Sequence, residues 1–128
     1  MEATLRDYRS QHVARTRAIP DFVDITGDVA GALEGSGISD GHVRVLAAEQ
    51  GCSLLVQERE SGLLFDIAEA LRRLGRSGGH APWGVIGSSS VVLPAVDGRL
   101  HLGTWQRVLL VETRSPRPRT VFVHIVGR

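Results

Sequence analysis

The chain has 128 residues, of which 42% are hydrophobic and 23% are charged, and its formal net charge at pH 7 is +1. This length and composition predict one soluble globular domain with an ordinary core, and they exclude a disordered chain. The small net charge predicts no general attraction to nucleic acid or to a membrane surface.

The spacing of apolar residues predicts two helices and six strands. In chain order these are a polar edge strand over Arg6–Thr16, a helix over Gly27–Gly35, strands over His42–Leu46 and Cys52–Gln57, a helix over Ser61–Leu74, and strands over Ser90–Val96, Arg107–Thr113 and Thr120–Val126. Ser61 is placed to cap the second helix, and a glycine-rich break over Gly75–Ser89 follows it. We therefore predict an α+β fold, a mostly antiparallel β-sandwich or barrel-like sheet with two flanking helices, as a single domain over residues 1–128.

Cys52 is the only cysteine of the chain. A disulfide framework within the chain and a metal site built from several cysteines are therefore excluded. No apolar run approaches the roughly 20 residues that a membrane-spanning helix needs, and the first residues form no hydrophobic signal region. We expect a cytoplasmic protein with no membrane partner, and the sequence also contains no phosphate-binding loop and no nucleic-acid module.

The run DGRLHLGTWQ, residues 97–106, leads directly into an apolar strand. Gly103 allows a tight turn, Trp105 adds a large flat surface with one N–H, and Gln106 adds two donors and an acceptor. Such a group at a strand edge favours the wall of a small-molecule pocket. The alternative is a buried tryptophan beside a tight turn.

An ordered set of short motifs extends from Phe22 to Arg128. They are Asp24-Ile25-Thr26, Ser36-Gly37-Ile38-Ser39-Asp40-Gly41, Gln57-Glu58-Arg59-Glu60-Ser61-Gly62-Leu63, Pro94, Asp97-Gly98-Arg99-Leu100, Leu102-Gly103-Thr104-Trp105-Gln106, Pro118-Arg119 and Val126-Gly127. In this order and spacing the motifs resemble the YjbQ-like family, often called the secondary thiamine-phosphate synthase family. The resemblance implies a small sandwich or barrel-like sheet with flanking helices, usually a homotrimer with pockets near the subunit boundaries.

The resemblance also implies a histidine-rich metal site, from which this chain departs. In the family, one histidine opens a His-Thr-Thr motif, a second lies in a His-Asn motif, and a third precedes the strand that leads to the DGRL segment. In this chain Glu49-Gln50-Gly51 replaces the His-Thr-Thr motif, and the loop that would carry the second histidine is mostly absent. Of the three histidines, only the third has a counterpart, His80. A catalytic zinc needs about three protein ligands. We therefore predict no bound metal and no cofactor, although Glu49, Glu58 and His80 could supply a set of two carboxylates and one histidine.

Seven side chains are candidate functional residues. Glu49 and Glu58 are the predicted catalytic acids or bases, because the resemblance places both near the altered site and a carboxylate in an apolar pocket can exchange protons. The predicted substrate-binding residues are Trp105, Gln106, Trp83, His80 and Cys52. The alternative for Glu58 is that it pairs with an arginine, and the alternative for Glu49 is a solvent-facing position in a loop. His80 could instead be a surface residue. Cys52 could instead pack in the core, or it could act as a nucleophile with His80 as its base. Arg117 and Arg119 are interpreted as solvated loop charges, and the alternative is that they bind an anionic substrate or a neighbouring subunit.

Together these residues predict a cofactor- and metal-independent enzyme that acts on a largely apolar small molecule. A shaped pocket with carboxylates suits a cyclase or cycloaddition catalyst, an isomerase or a lyase, in specialised biosynthesis such as that of polyketides. Two alternatives remain open. One is activity like that of a secondary thiamine-phosphate synthase, and the other is a non-catalytic trimeric protein for binding or assembly.

Overall fold

The computed structural model describes residues 4–75 and 85–128, so the predicted site residues His80 and Trp83 lie outside the described residues. In chain order, the elements of the described residues are β1 (Arg6–Arg15), β2 (Asp21–Asp24), α1 (Thr26–Ser36), β3 (Gly41–Ala47), β4 (Cys52–Glu58), α2 (Ser61–Gly75), β5 (Ser90–Val96), β6 (Arg99–Leu100), β7 (Gln106–Glu112) and β8 (Pro118–Gly127). All predicted elements are present. The two further strands, β2 and β6, span only four and two residues, too few to give a clear alternation of apolar side chains.

The strands form two antiparallel sheets. The larger sheet has the order β1-β8-β3-β5-β6, and the smaller sheet has the order β2-β7-β4. A bridge between Leu54 of β4 and Ser88, just before β5, joins the two sheets on one side. The sheets therefore curl into a half-barrel, and the predicted α+β fold with a mostly antiparallel, barrel-like sheet is confirmed.

Alternating side chains fill the space between the sheets. On β8, Val121, Val123 and Ile125 are at most 1% exposed, and Val43 and Val45 of β3 are fully buried beside them. Val108 and Leu110 of β7 and Val29 and Leu33 of α1 belong to the same core. Because successive side chains of a strand point to opposite faces, the two-residue alternation in β3 and β8 directs one face of these strands inward, whereas β7 is buried on both faces from Val108 to Glu112.

Both helices have defined ends. Helix α1 stops at Gly37, whose φ of 71° is a left-handed conformation that glycine adopts without strain. The prediction that Ser61 caps α2 is wrong, because the carboxylate of Glu60 accepts hydrogen bonds from the N–H groups of Gly62 at 2.9 Å and Leu63 at 2.7 Å. No helix in the described part of the chain is long and apolar enough to cross a membrane.

Candidate functional site

The predicted site residues that the structure describes lie at the two opposite ends of β4. Cys52 pairs with Glu112 at the first end of this strand, and Glu58 pairs with Gln106 at the other end. Six residues of extended chain, at about 3.3 Å each, separate these two ends by roughly 20 Å. Glu49, which lies just before β4, therefore belongs to a different region from Glu58.

The first region is a buried ion-pair network, here called the arginine cluster, formed by Glu49, Glu112 and Arg119. Arg119 is 2% exposed and Glu112 is fully buried. The guanidinium donates from Nε to Oε1 of Glu112 at 2.9 Å and from Nη2 to Oε2 at 2.7 Å. Since Glu112 ends β7 and Arg119 lies in β8, the pair joins the two sheets. The interpretation of Arg119 as a solvated loop charge is wrong, because this buried partner binds it.

Further hydrogen bonds complete the network around Glu112. Thr16 donates its hydroxyl to Oε1 of Glu112 at 2.6 Å, and the N–H of Arg114 donates to Oε2 at 3.1 Å. Burial by itself raises the pKa of the Glu112 carboxyl, but the hydrogen bonds from Arg119, Thr16 and Arg114 outweigh it and hold the pKa below its ordinary value. Glu112 is therefore a carboxylate at neutral pH, and it neutralises Arg119.

Glu49 is tied into the same network. Nη1 of Arg119 lies 3.3 Å from Oε1 of Glu49 and donates to the carbonyl of Gln50 at 3.1 Å. The other carboxylate oxygen of Glu49 accepts the N–H of Thr120. Both oxygens of Glu49 are thus engaged by the protein itself, so any proton transfer at this carboxylate disturbs an ion pair. The catalytic role of Glu49 stays a prediction.

Cys52 is half-buried beside this network and packs against the core. Its Sγ lies 3.4 Å from the carbonyl oxygen of Glu49. Burial raises the pKa of the Cys52 thiol, and the charge of Arg119 offsets only part of that rise. Because a nucleophilic cysteine needs a lowered pKa, this environment favours core packing for Cys52.

The second region is an open hollow of about 320 Å³, here called the tryptophan hollow, lined by Glu58, Arg59, Glu60 and Trp105. Trp105 is 73% exposed, so the alternative of a buried tryptophan is wrong. Within residues 4–75 and 85–128, the indole ring makes no hydrogen bond and no ring contact. An exposed flat surface of this size is unusual for a side chain that prefers burial.

The turn that carries Trp105 is nevertheless fixed. Gln106 accepts the N–H of Gly103 on its side-chain oxygen at 2.8 Å, and its own N–H donates to the carbonyl of Gly103 at 3.0 Å. Gln106 was predicted to orient a substrate with its amide. The structure places it beside Trp105, with the amide oxygen holding the turn.

Some of the charged side chains around the hollow bind one another. Asp24, which sequence reasoning did not single out as a site residue, accepts a 2.7 Å hydrogen bond from Nε of Arg107, and Nη1 of Arg59 lies 4.0 Å away. Burial raises the pKa of Asp24, but hydrogen bonds from Thr26 and Arg107 outweigh it and lower the pKa. The only sequence signal for Asp24 was its place in the Asp24-Ile25-Thr26 motif.

The two glutamates that line the hollow differ in whether their carboxylates are hydrogen-bonded. The N–H groups of Gly62 and Leu63 bind the Glu60 carboxylate and lower its pKa. The Glu58 carboxylate has no hydrogen bond or ion pair within the described residues. The alternative that Glu58 pairs with an arginine is therefore not found among them, and its catalytic role stays a prediction.

Comparison with known proteins agrees with this architecture. The sequence profile described as UPF0047 protein YjbQ-like matches residues 10–128. The chain belongs to the YjbQ-like family. The resemblance drawn from the sequence motifs is thereby confirmed.

Relatives match this YjbQ-like chain over nearly its whole length. A UPF0047 protein of Methanothermobacter thermautotrophicus is 30% identical over 134 residues, which are 94% of this chain and 93% of the relative. The crystal structure of a YbjQ-like protein of unknown function from Sulfolobus solfataricus has a TM-score of 0.89 at 27% identity, with 98% of this chain and 100% of that chain covered. The crystal structure of a hypothetical protein from Aeropyrum pernix has a TM-score of 0.85 at 34% identity, with 94% of this chain and 98% of that chain covered.

Within residues 4–75 and 85–128, which exclude His80, the side chains of this YjbQ-like chain do not fit the metal site that the resemblance implies. Glu58 lies roughly 20 Å from Cys52 along β4, and Glu49 precedes Cys52 beyond the opposite end of the strand, too far from Glu58 for both carboxylates to bind one ion from a single chain. Both oxygens of Glu49 are already bound by Arg119 and Thr120. No group of three or more histidine, cysteine, aspartate or glutamate side chains with the geometry of a metal site is found among residues 4–75 and 85–128.

Proposed function

We propose that this YjbQ-like protein is an enzyme that transforms a small organic molecule in the tryptophan hollow, with Glu58 as general acid or base and without a metal or another cofactor. The observation that supports this proposal is the exposed ring of Trp105, held on a fixed turn, beside the carboxylate of Glu58, which has no partner among the described residues. A rigid aromatic surface orients a substrate, and a carboxylate without a partner can exchange a proton with it.

The chemistry available to such a site is limited to orientation and proton transfer. Glu58 can remove a proton from a carbon or oxygen of a substrate that lies against Trp105, and it can return the proton at another atom. Isomerisation, dehydration, elimination and many cyclisations need only these steps, and cycloaddition needs only the orientation. The place of the enzyme in specialised biosynthesis, for example of polyketides, stays a prediction.

The elimination of 5-nitrobenzisoxazole tests the site with a flat aromatic probe. A base removes the proton from C3, the C=N bond becomes a nitrile, and the N–O bond breaks with its electrons passing to the phenolate oxygen. We expect Glu58→Gln to lower kcat/KM by about 10²-fold, in the range of general-base catalysis, and Trp105→Ala to raise KM. Glu34→Gln, on the exposed side of α1, is the matched control and is expected to leave the rate unchanged.

Three outcomes would contradict or redirect this proposal. A wild-type rate no higher than that of acetate at the same carboxylate concentration and pH, or an unchanged rate in Glu58→Gln, would remove Glu58 as the base. Loss of thiamine-phosphate formation on chelation, with recovery on adding zinc, would favour the synthase alternative. Absence of any catalysis in a stable trimer would favour the assembly alternative.

We further propose a homotrimer. Apolar side chains are exposed on the outer face of the five-stranded sheet, where Phe122 and Leu46, each 37% exposed, pair directly across β8 and β3, and Val92 is 54% exposed on the neighbouring strand β5. Apolar groups that lie together on a surface favour a protein contact.

Light scattering coupled to size-exclusion chromatography should give three times the chain mass of 13.8 kDa. Phe122→Glu is expected to release single chains because it places a charge within this contact. Ala30→Glu, which adds the same charge to the exposed face of α1, should remain trimeric. A wild-type protein at the mass of one chain would contradict the trimer.

A further inference from the structure

The charged side chains that line the tryptophan hollow differ in whether they have a partner among the described residues. Nη1 of Arg59 lies 4.0 Å from the carboxylate of Asp24, which also binds Arg107 at 2.7 Å. The Glu60 carboxylate is occupied by the first N–H groups of α2. Among the charged groups of the described residues that line the hollow, Glu58 is therefore the one without an internal partner.

The ring of Trp105, like the carboxylate of Glu58, attracts a positively charged group. The face of an indole ring carries partial negative charge, and tryptophan is the aromatic side chain that attracts cations most strongly. Trp105 is 73% exposed, on a turn closed by two hydrogen bonds between Gly103 and Gln106. A cation over the ring therefore needs little rearrangement of the protein.

We infer that the substrate of the hollow carries a positively charged amine or quaternary ammonium group, which lies over Trp105 and next to the carboxylate of Glu58. This inference rests on the proposed function, since it names the substrate class of the same site. An anionic group fits less well, because Glu58 and Glu60 repel it and the guanidinium of Arg59 is shared with Asp24.

A pair of probes of the same shape isolates the charge. Choline and the neutral 3,3-dimethyl-1-butanol differ mainly in the positive nitrogen, and each is titrated while the indole N–H resonance of Trp105, assigned with Trp105→Phe, is followed by NMR. We expect choline to bind about tenfold more tightly than the alcohol, from the cation–π contact and one exposed ion pair. Glu58→Gln should weaken choline binding about 3- to 5-fold and leave the alcohol unchanged. Glu34→Gln should change neither.

The outcomes separate this inference from the function on which it rests. Equal binding of the two probes, or a larger shift with acetate or inorganic phosphate than with choline, would overturn the cationic class and leave the hollow as the binding site. Elimination activity that depends on Glu58, with no response to choline, would overturn the class alone. No response of the Trp105 resonance to any probe, together with no elimination activity, would overturn both. A change of oligomeric mass in Trp105→Ala would assign the ring to a subunit contact and overturn the inference.

Discussion

Glu112→Ala is expected to lower the free energy of unfolding by about 3–5 kcal/mol, because it leaves a buried guanidinium without its counter-charge. Arg119 is 2% exposed, and both of its strong hydrogen bonds go to the Glu112 carboxylate. The two residues belong to different sheets, so the loss also removes a link between β7 and β8. Arg119→Ala should be similarly costly, since it leaves the carboxylate unpaired.

Urea unfolding followed by far-ultraviolet circular dichroism measures this effect. Arg72→Ala is the control, because Arg72 forms an exposed pair with Glu69 at 3.5 Å within α2 and should contribute only about 0.3–0.5 kcal/mol. A change below about 1 kcal/mol for both Glu112→Ala and Arg119→Ala would show that the buried pair does not stabilise the fold.

The same carboxylate makes the stability depend on pH in a defined direction. The pKa of Glu112 is lower in the folded chain than its ordinary value of 4.5, so the unfolded chain binds more protons in acid. The stabilisation is complete above the unfolded pKa and is lost as the pH falls below it through the folded pKa. Glu112→Gln, which does not titrate, should show a flatter decline in stability than wild type as the pH falls below 4.5.

Gly41→Ala is expected to cost about 3 kcal/mol, because the added methyl group has no space. A Cβ at this position would lie 2.1 Å from the carbonyl oxygen of Val126 and 2.7 Å from Cα of Gly127. Both are backbone atoms of β8, a strand with neighbours on both sides, so the sheet itself must move. The motif glycines Gly41 and Gly127 are paired across the two strands, and each permits the close approach of the other.

Gly31→Ala provides the matched control for this substitution. Gly31 lies on the exposed side of α1, and an added Cβ meets no atom within 4 Å. Alanine in a helix interior is more favourable than glycine by roughly 0.5–1 kcal/mol, so this variant should be slightly more stable than wild type. Thermal unfolding compares the two, and a Gly41→Ala variant as stable as wild type would contradict the steric argument.

Much of the fold was predictable because strand and helix patterns are local. The alternation of valine and isoleucine in β8 and the leucine spacing of α2 depend on neighbours only a few residues apart. The short strands β2 and β6 escaped prediction for the same reason, since two to four residues carry too little pattern.

The candidate site was predicted in part. Glu58, Trp105 and Gln106 are predicted site residues from the sequence, and the register of β4 against β7 sets Glu58 opposite Gln106, while their functional roles stay predictions. Glu49 and Glu58 were placed in one site because the family resemblance puts both near the altered metal site, although they lie beyond opposite ends of β4 and an extended strand spans about 3.3 Å for each residue.

By itself, the sequence determined eight of the ten elements in the described part of the chain, the mostly antiparallel arrangement and the family. Only the tertiary structure decided which charged side chains bind one another inside the protein. Arg119 is buried because Glu112 on one sheet and Glu49 on a loop converge on it, while Glu58 finds no such partner among the described residues. The free energy of a charged side chain depends on groups that the fold brings near it, and these groups lie far away along the chain.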